Sequence, residues 1–184
     1  ILLEDNSSLE LKGFFSISQN IIFKGKCVLG NNVTIHNGSV LENIKVGSNS
    51  IIRPYSILIN SNFGENNLIG PFCFVRDNTN VENYCIVGSH VEIARSYLEN
   101  RVKISHQSYI GDAFIGCNTI IGAGTVFCNY DGAKTQKTVV GEKVIIGSGS
   151  MIISPRNIGS HAIIGAGSVI SKDILPNTKI IQKR

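Results

Sequence analysis

The sequence predicts an all-β chain wound as a parallel β-helix of hexapeptide repeats, and three observations carry that expectation. An aliphatic or aromatic residue recurs at every sixth position, with occasional fives, at 29, 35, 41, 46, 52, 58, 63, 69, 75, 81, 87, 93, 98, 104, 110, 115, 121 and 127, then at 140, 146, 152, 158, 164 and 170. Glycine directly follows many of these residues, as in Leu29-Gly30, Val46-Gly47, Ile69-Gly70, Val87-Gly88, Ile121-Gly122 and Ile146-Gly147. Between Phe127 and Val140 the period breaks into a mostly polar stretch with an Asp-Gly turn signal. Self-similarity at so short a fixed period marks a solenoid of stacked coils.

Each element follows from that period. A six-residue step holds a short strand and a turn, so three steps make a triangular coil of about 18 residues, with strands about 4.8 Å above those of the coil before. One inward side chain per step builds a ladder through the core. Glycine beyond it tolerates corner conformations that a Cβ resists. Helices are excluded because six is not a helical period and β-branched residues abound; an antiparallel sandwich is the alternative use of so many short strands. Residues 1–20 show no clean period and read as a lead-in, 21–174 as coils and 175–184 as a tail, all in one domain spanning 1–184. The stretch near 128–139 reads as a loop thrown out of its coil, and loops on rigid scaffolds commonly carry function.

Composition bounds the function classes. No run approaches the roughly 18 apolar residues of a membrane span. The five cysteines (Cys27, Cys73, Cys85, Cys117 and Cys128) lack pair spacing, and no secretion signal precedes them, which points to a reducing, cytoplasmic setting. A net formal charge of +4 is too small and dispersed for a nucleic-acid partner. Lys172, Lys179, Lys183 and Arg184 either meet an anionic co-substrate or are a solvated terminus. The only methionine is Met151, so the chain reads as one piece of a longer protein.

Counting along the ladder gives spatial neighbours. Steps of 6, 5 and 6 between Ile104 and Ile121 place Ala123 above His106, and by the same count Glu92 lies below Tyr109. Val75, Ile93, Ile110 and Phe127 stack, aligning Arg76, Ala94, Gly111 and Cys128. On this count Arg76, His106, Tyr109, Ala123 and Asn129 crowd one corner, from which the loop also leaves.

The string His106-Gln-Ser-Tyr-Ile-Gly-Asp-Ala, the following Gly-Ala-Gly-Thr-Val-Phe-Cys-Asn-Tyr-Asp-Gly, Ile69-Gly-Pro-Phe72, Val91-Glu92 and the opening Ile1-Leu-Leu-Glu-Asp5 resemble one enzyme family. This is the acetyltransferase half of the bifunctional bacterial enzymes that acetylate glucosamine-1-phosphate and then uridylylate it, supplying UDP-N-acetylglucosamine for the cell envelope and its peptidoglycan. The resemblance covers essentially the whole chain, and the uridyltransferase half is absent from it. It implies a left-handed winding, a homotrimer, acetyl-CoA as co-substrate and no metal.

The resemblance also implies roles for individual residues. His106 is the general base for attack of the amino nitrogen on the thioester, and the Ala123 N–H meets the thioester oxygen. Arg76 and Tyr109 hold the sugar phosphate. Asn129 and Tyr130 hold the amino group and the acetyl end, while Ser148, Ala166 and Lys183 contact CoA, with Lys183 standing where the family has Arg. On the sugar side, Ala94, Ile120 and Thr135 stand where the family has Lys, Asn and Lys, with Arg95, Lys134 and Lys137 as neighbouring cations. Two other readings stay open. One is an acyltransferase for another amino sugar or nucleotide sugar. The other is a β-helix carbonic anhydrase or non-catalytic relic, although His36, His90, His106 and His161 are widely spaced for a zinc site.

Overall fold

The computed structural model describes residues 1–4 and 6–181. Every inward position named by the six-residue period is buried, none more than 4% exposed. The strands around them are two to seven residues long and pair in parallel, each with the strand one coil before and one coil after. Short strands suffice because each inward side chain packs on its counterparts above and below. Ile104, for example, sits in register between Val87 and Ile121. The result is a solenoid of about ten coils.

Three faces enclose the core. One is a ten-stranded sheet that includes Ile86–Ser89, Lys103–His106, Ile120–Ile121, Ile145–Ile146 and Ile163–Ile164. The other two faces are joined into a single sheet by Val40–Val46 and Ile57–Phe63, seven-residue strands that run around the edge between them. One of these faces carries Phe74–Arg76, Glu92–Ala94, Tyr109–Gly111, Val126–Cys128 and Met151–Ile153; the other carries Tyr97–Leu98, Ala113–Ile115 and Thr138–Val140.

Corners turn through residues with left-handed backbone. Up one edge these are Tyr55, Phe72, His90, Gln107, Gly124, Gly149 and Gly167, each donating its N–H to the coil below, as Gly124 does to the His106 carbonyl at 3.3 Å. Asparagine fills many other such corners, because its short polar side chain lowers the strain of a positive φ.

The ends differ from the sequence expectation. Residues 1–20 are not a bare lead-in: Leu2–Leu3, Ser8–Leu11 and Phe15–Ile17 pair in register with the next coil, so coiling begins at the first residues. Their side chains are exposed or half-buried, with Phe14 at 83%, which blurs the apolar period there. At the other end Lys179–Ile180 still pairs with Ile163–Ile164, within the stretch read as a tail.

Candidate active site

The coil that follows Ile120 is longer than its neighbours. Lys103 pairs with Ile120 and Ile145 with Ile163, but Ile120 pairs with Ile145, so one turn takes 25 residues where its neighbours take 17 and 18. The surplus is the stretch from Asn129 to Lys137, which leaves at the edge occupied one coil below by Asp112. Asp131 folds it into a compact loop. Its carboxylate accepts the Ala133 and Lys134 N–H groups, both at 2.9 Å, and the Gln136 amide. The Gln136-side hydrogen bond leads the causes that bring the Asp131 carboxyl down to about 2.

The loop and His106 are on different edges. His106 ends the strand Lys103–His106, Asn129 follows the strand Val126–Cys128, and the face lies between them. The count that gathered Arg76, His106, Tyr109, Ala123 and Asn129 at one corner is therefore corrected: they divide between two edges of one face, a step of one strand that register alone does not resolve.

The histidine edge is made of small residues above a single imidazole. Register places Ala123 over His106, Ser148 over Ala123 and Ala166 over Ser148. His106 is exposed, and among the described residues its ring has no hydrogen-bond or ion-pair partner; its carbonyl accepts the Gly124 N–H and the Ser108 hydroxyl, the latter at 2.9 Å. The Ala123 carbonyl accepts from Gly149 at 2.7 Å, while the Ala123 N–H has no acceptor among the described residues. A basic nitrogen and a free N–H thus stand one coil apart. Close stacking here requires glycine: a Cβ on Gly147 would fall 2.3 Å from the Ala166 nitrogen.

The loop edge is a chain of ion pairs. Arg76 donates through Nε and Nη2 to Glu92 at 3.2 and 2.7 Å, and through Nη1 to Asp77. Arg95 donates through Nε and Nη2 to Asp112 at 2.8 and 3.0 Å, and through Nη1 to Asp77 at 3.1 Å. Asp112 also accepts from the Asn129 amide and interacts with the Thr135 hydroxyl, so it ties both limbs of the loop. Burial raises its pKa, but Arg95, Asn129 and Thr135 together outweigh burial and hold it below the usual value.

Tyr109 links the two edges. It begins the strand next to the histidine corner, and its hydroxyl lies 3.4 Å from the Asn129 amide. Gly111 makes room for this contact, since a Cβ there would meet the Asn129 amide at 2.4 Å and the Tyr109 hydroxyl at 2.5 Å. Asn129 is 6% exposed, whereas Tyr130 is 65% exposed with its hydroxyl on the Gly132 carbonyl at 2.8 Å. Lys183 lies outside the described residues.

Sequence reading missed Asp77 and Asp112. The coil count held the signal, because steps of 18 and 17 put Asp77, Arg95 and Asp112 one above another with alternating charge. Simple strand alternation would put Arg95 on the opposite face from Ala94. It is instead a corner residue with φ of 50°, where alternation does not apply.

Residues 26–60 and 137–172 match the bacterial transferase hexapeptide (six repeats) family. Over nearly its whole length the chain is similar to part of the bifunctional protein GlmU of several bacteria. It is 40% identical over 189 residues to the GlmU of Baumannia cicadellinicola subsp. Homalodisca coagulata, covering all of this chain and 40% of that protein. It is 46% identical over 183 residues to that of Psychrobacter sp. (strain PRwf-1), covering 96% and 40%. The chain thus spans about two fifths of the length of the curated relatives it matches. Among solved structures, Arabidopsis UDP-N-acetylglucosamine acyltransferase shares the fold, at 17% identity and a TM-score of 0.53, over 94% of this chain and 66% of that one.

Proposed function

We propose that this chain is an acetyl-CoA-dependent N-acetyltransferase acting on an amino sugar, with glucosamine-1-phosphate the acceptor that the sequence resemblance implies. The observation that carries the reading is the unpartnered His106 imidazole one coil below the unpartnered Ala123 N–H. A neutral imidazole can take the proton that the attacking amine loses. The amino nitrogen attacks the thioester carbon, the proton passes to His106, and the Ala123 N–H stabilises the developing oxyanion. One such donor contributes about 2.7–4 kcal/mol. The tetrahedral adduct then collapses, the C–S bond breaks, and His106 returns the proton to the leaving thiolate.

CoA lies along Ser148 and Ala166, where short side chains leave the edge open. Asn129 and Tyr130 attend the amino and acetyl groups, and Arg76 and Tyr109 the sugar. We further propose a cytoplasmic homotrimer of left-handed coils. Ile120, Ile145 and Ile163 form an outward ladder, 43%, 43% and 39% exposed, and Ile57, Met151 and Val169 are similarly bare on the next face. Two such faces flanking one edge suit packing against two copies. Among the described residues no helix is long and apolar enough to cross a membrane. The test is thiol release from acetyl-CoA with a panel of amino sugars. Amine-dependent release with an N-acetylated product supports the reading, and release that is independent of any amine overturns it.

A further inference from the structure

At the loop edge all six guanidinium nitrogens of Arg76 and Arg95 donate to carboxylates, and one carboxylate, Asp77, holds both side chains. The five groups carry two positive and three negative formal charges, a net −1 for Arg76, Arg95, Asp77, Glu92 and Asp112. A phosphate monoester carries about −1.5 to −2 charges near pH 7 and is best received by a guanidinium fork with free N–H groups. Here each guanidinium already gives three of its five N–H groups to carboxylates. Ala94, between the arginines in sequence space, adds no charge, and neither does Thr135, whose hydroxyl is turned to Asp112.

Asp77 is the member whose removal changes most. Glu92 and Asp112 each engage one arginine, whereas Asp77 bridges two and is 40% exposed, with Arg76 at 27% and Arg95 at 38%. The bridge is therefore open to an arriving acceptor. We propose that Asp77 is a specificity-determining residue that disfavours a phosphorylated acceptor, because its carboxylate competes with a phosphate for both guanidiniums. This rests on the acetyltransferase reading for its placement of the acceptor at this edge.

The test compares wild type with Asp77→Asn. The substitution keeps size and suits the corner, whose φ is 58°. Thiol release from acetyl-CoA gives kcat/KM for glucosamine-1-phosphate and for glucosamine. The ratio of the two is expected to rise at least tenfold in Asp77→Asn, through a lower KM for the phosphorylated acceptor. In parallel, inorganic phosphate is titrated while following the arginine Nε–H NMR signals, which needs no turnover. Asp77→Asn is expected to bind phosphate about tenfold more tightly than wild type, and Asp173→Asn, at the far end of the solenoid, to match wild type. An unchanged ratio, or equal phosphate affinity in wild type and Asp77→Asn, overturns the proposal. If neither amino sugar releases thiol, the acetyltransferase reading fails by itself, and the phosphate titration still decides what Asp77 does to anion binding.

Discussion

The histidine edge and the loop edge flank the same strands, yet they are built by opposite means. Along the first, successive coils offer His106, Ala123, Ser148 and Ala166: one ring, little side-chain bulk and an unpartnered backbone N–H. Along the second, Arg76, Asp77, Arg95 and Asp112 satisfy one another and grip the loop. The bare edge is suited to a long ligand that lies against backbone. The paired edge is suited to holding a loop in place, at the cost of charge available to an anion. The difference teaches that a repeat fold keeps one backbone and changes chemistry by edge.

Breaking the bare edge at His106 should have the largest effect. His106→Ala is expected to lower kcat by about 10²–10⁴-fold while leaving the acetyl-CoA KM nearly unchanged, since it removes a proton acceptor and no CoA contact. Steady-state kinetics in both substrates check this, and near-normal turnover would place the base elsewhere.

A smaller effect is expected where the bare edge depends on close stacking. In Gly147→Ala the new methyl meets the Ala166 backbone, not a flexible side chain, so the coils must part. The expected destabilisation is about 1–3 kcal/mol, with a higher acetyl-CoA KM. Thermal unfolding and kinetics read the two, and an unchanged Tm would mean that the coils have slack at this edge.

How much of this was legible in the sequence differs between the two edges. Every residue the ladder period named is inward, and the count placed Ala123 over His106, because hexads fix which coil a residue is on; core residues outside the named rungs, such as Phe23, Val33, Cys73 and Val102, escaped it. It did not resolve which edge of a face a residue occupies, which is why Asn129 and His106 were merged. Side-chain direction at corners was also hidden. Arg95 belongs to the loop-edge network through a left-handed backbone, and no strand alternation reports that. The loop was visible as a break in the period, but Asp112 as its anchor appears only when the coils are stacked.

The smallest effect sharpens the loop side. Asp131 is paired in the fold and has a pKa of about 2, below its ordinary value of 3.8. A lowered carboxylate pKa means that its contribution is complete above about pH 4 and is lost as pH falls toward 2. The Asp112 anchor shifts in the same direction. The loop turn is therefore expected to persist at pH 4 and to loosen between pH 4 and 2, seen as an NMR titration midpoint for Asp131 well below 3.8. A midpoint at 3.8 would show that the turn does not hold its carboxylate.

The division of labour between the edges is tested most directly by binding of the two ligands to one variant from each edge. Calorimetry would follow CoA and the acceptor amino sugar on wild type, Ser148→Trp and Asp112→Ala. The account predicts that Ser148→Trp weakens CoA by roughly 100-fold or more and leaves the acceptor within about twofold, while Asp112→Ala does the reverse with a loss of about tenfold, the scale of one charge-assisted hydrogen bond. Equal losses of both ligands in each variant, or CoA binding indifferent to Ser148→Trp, would contradict it.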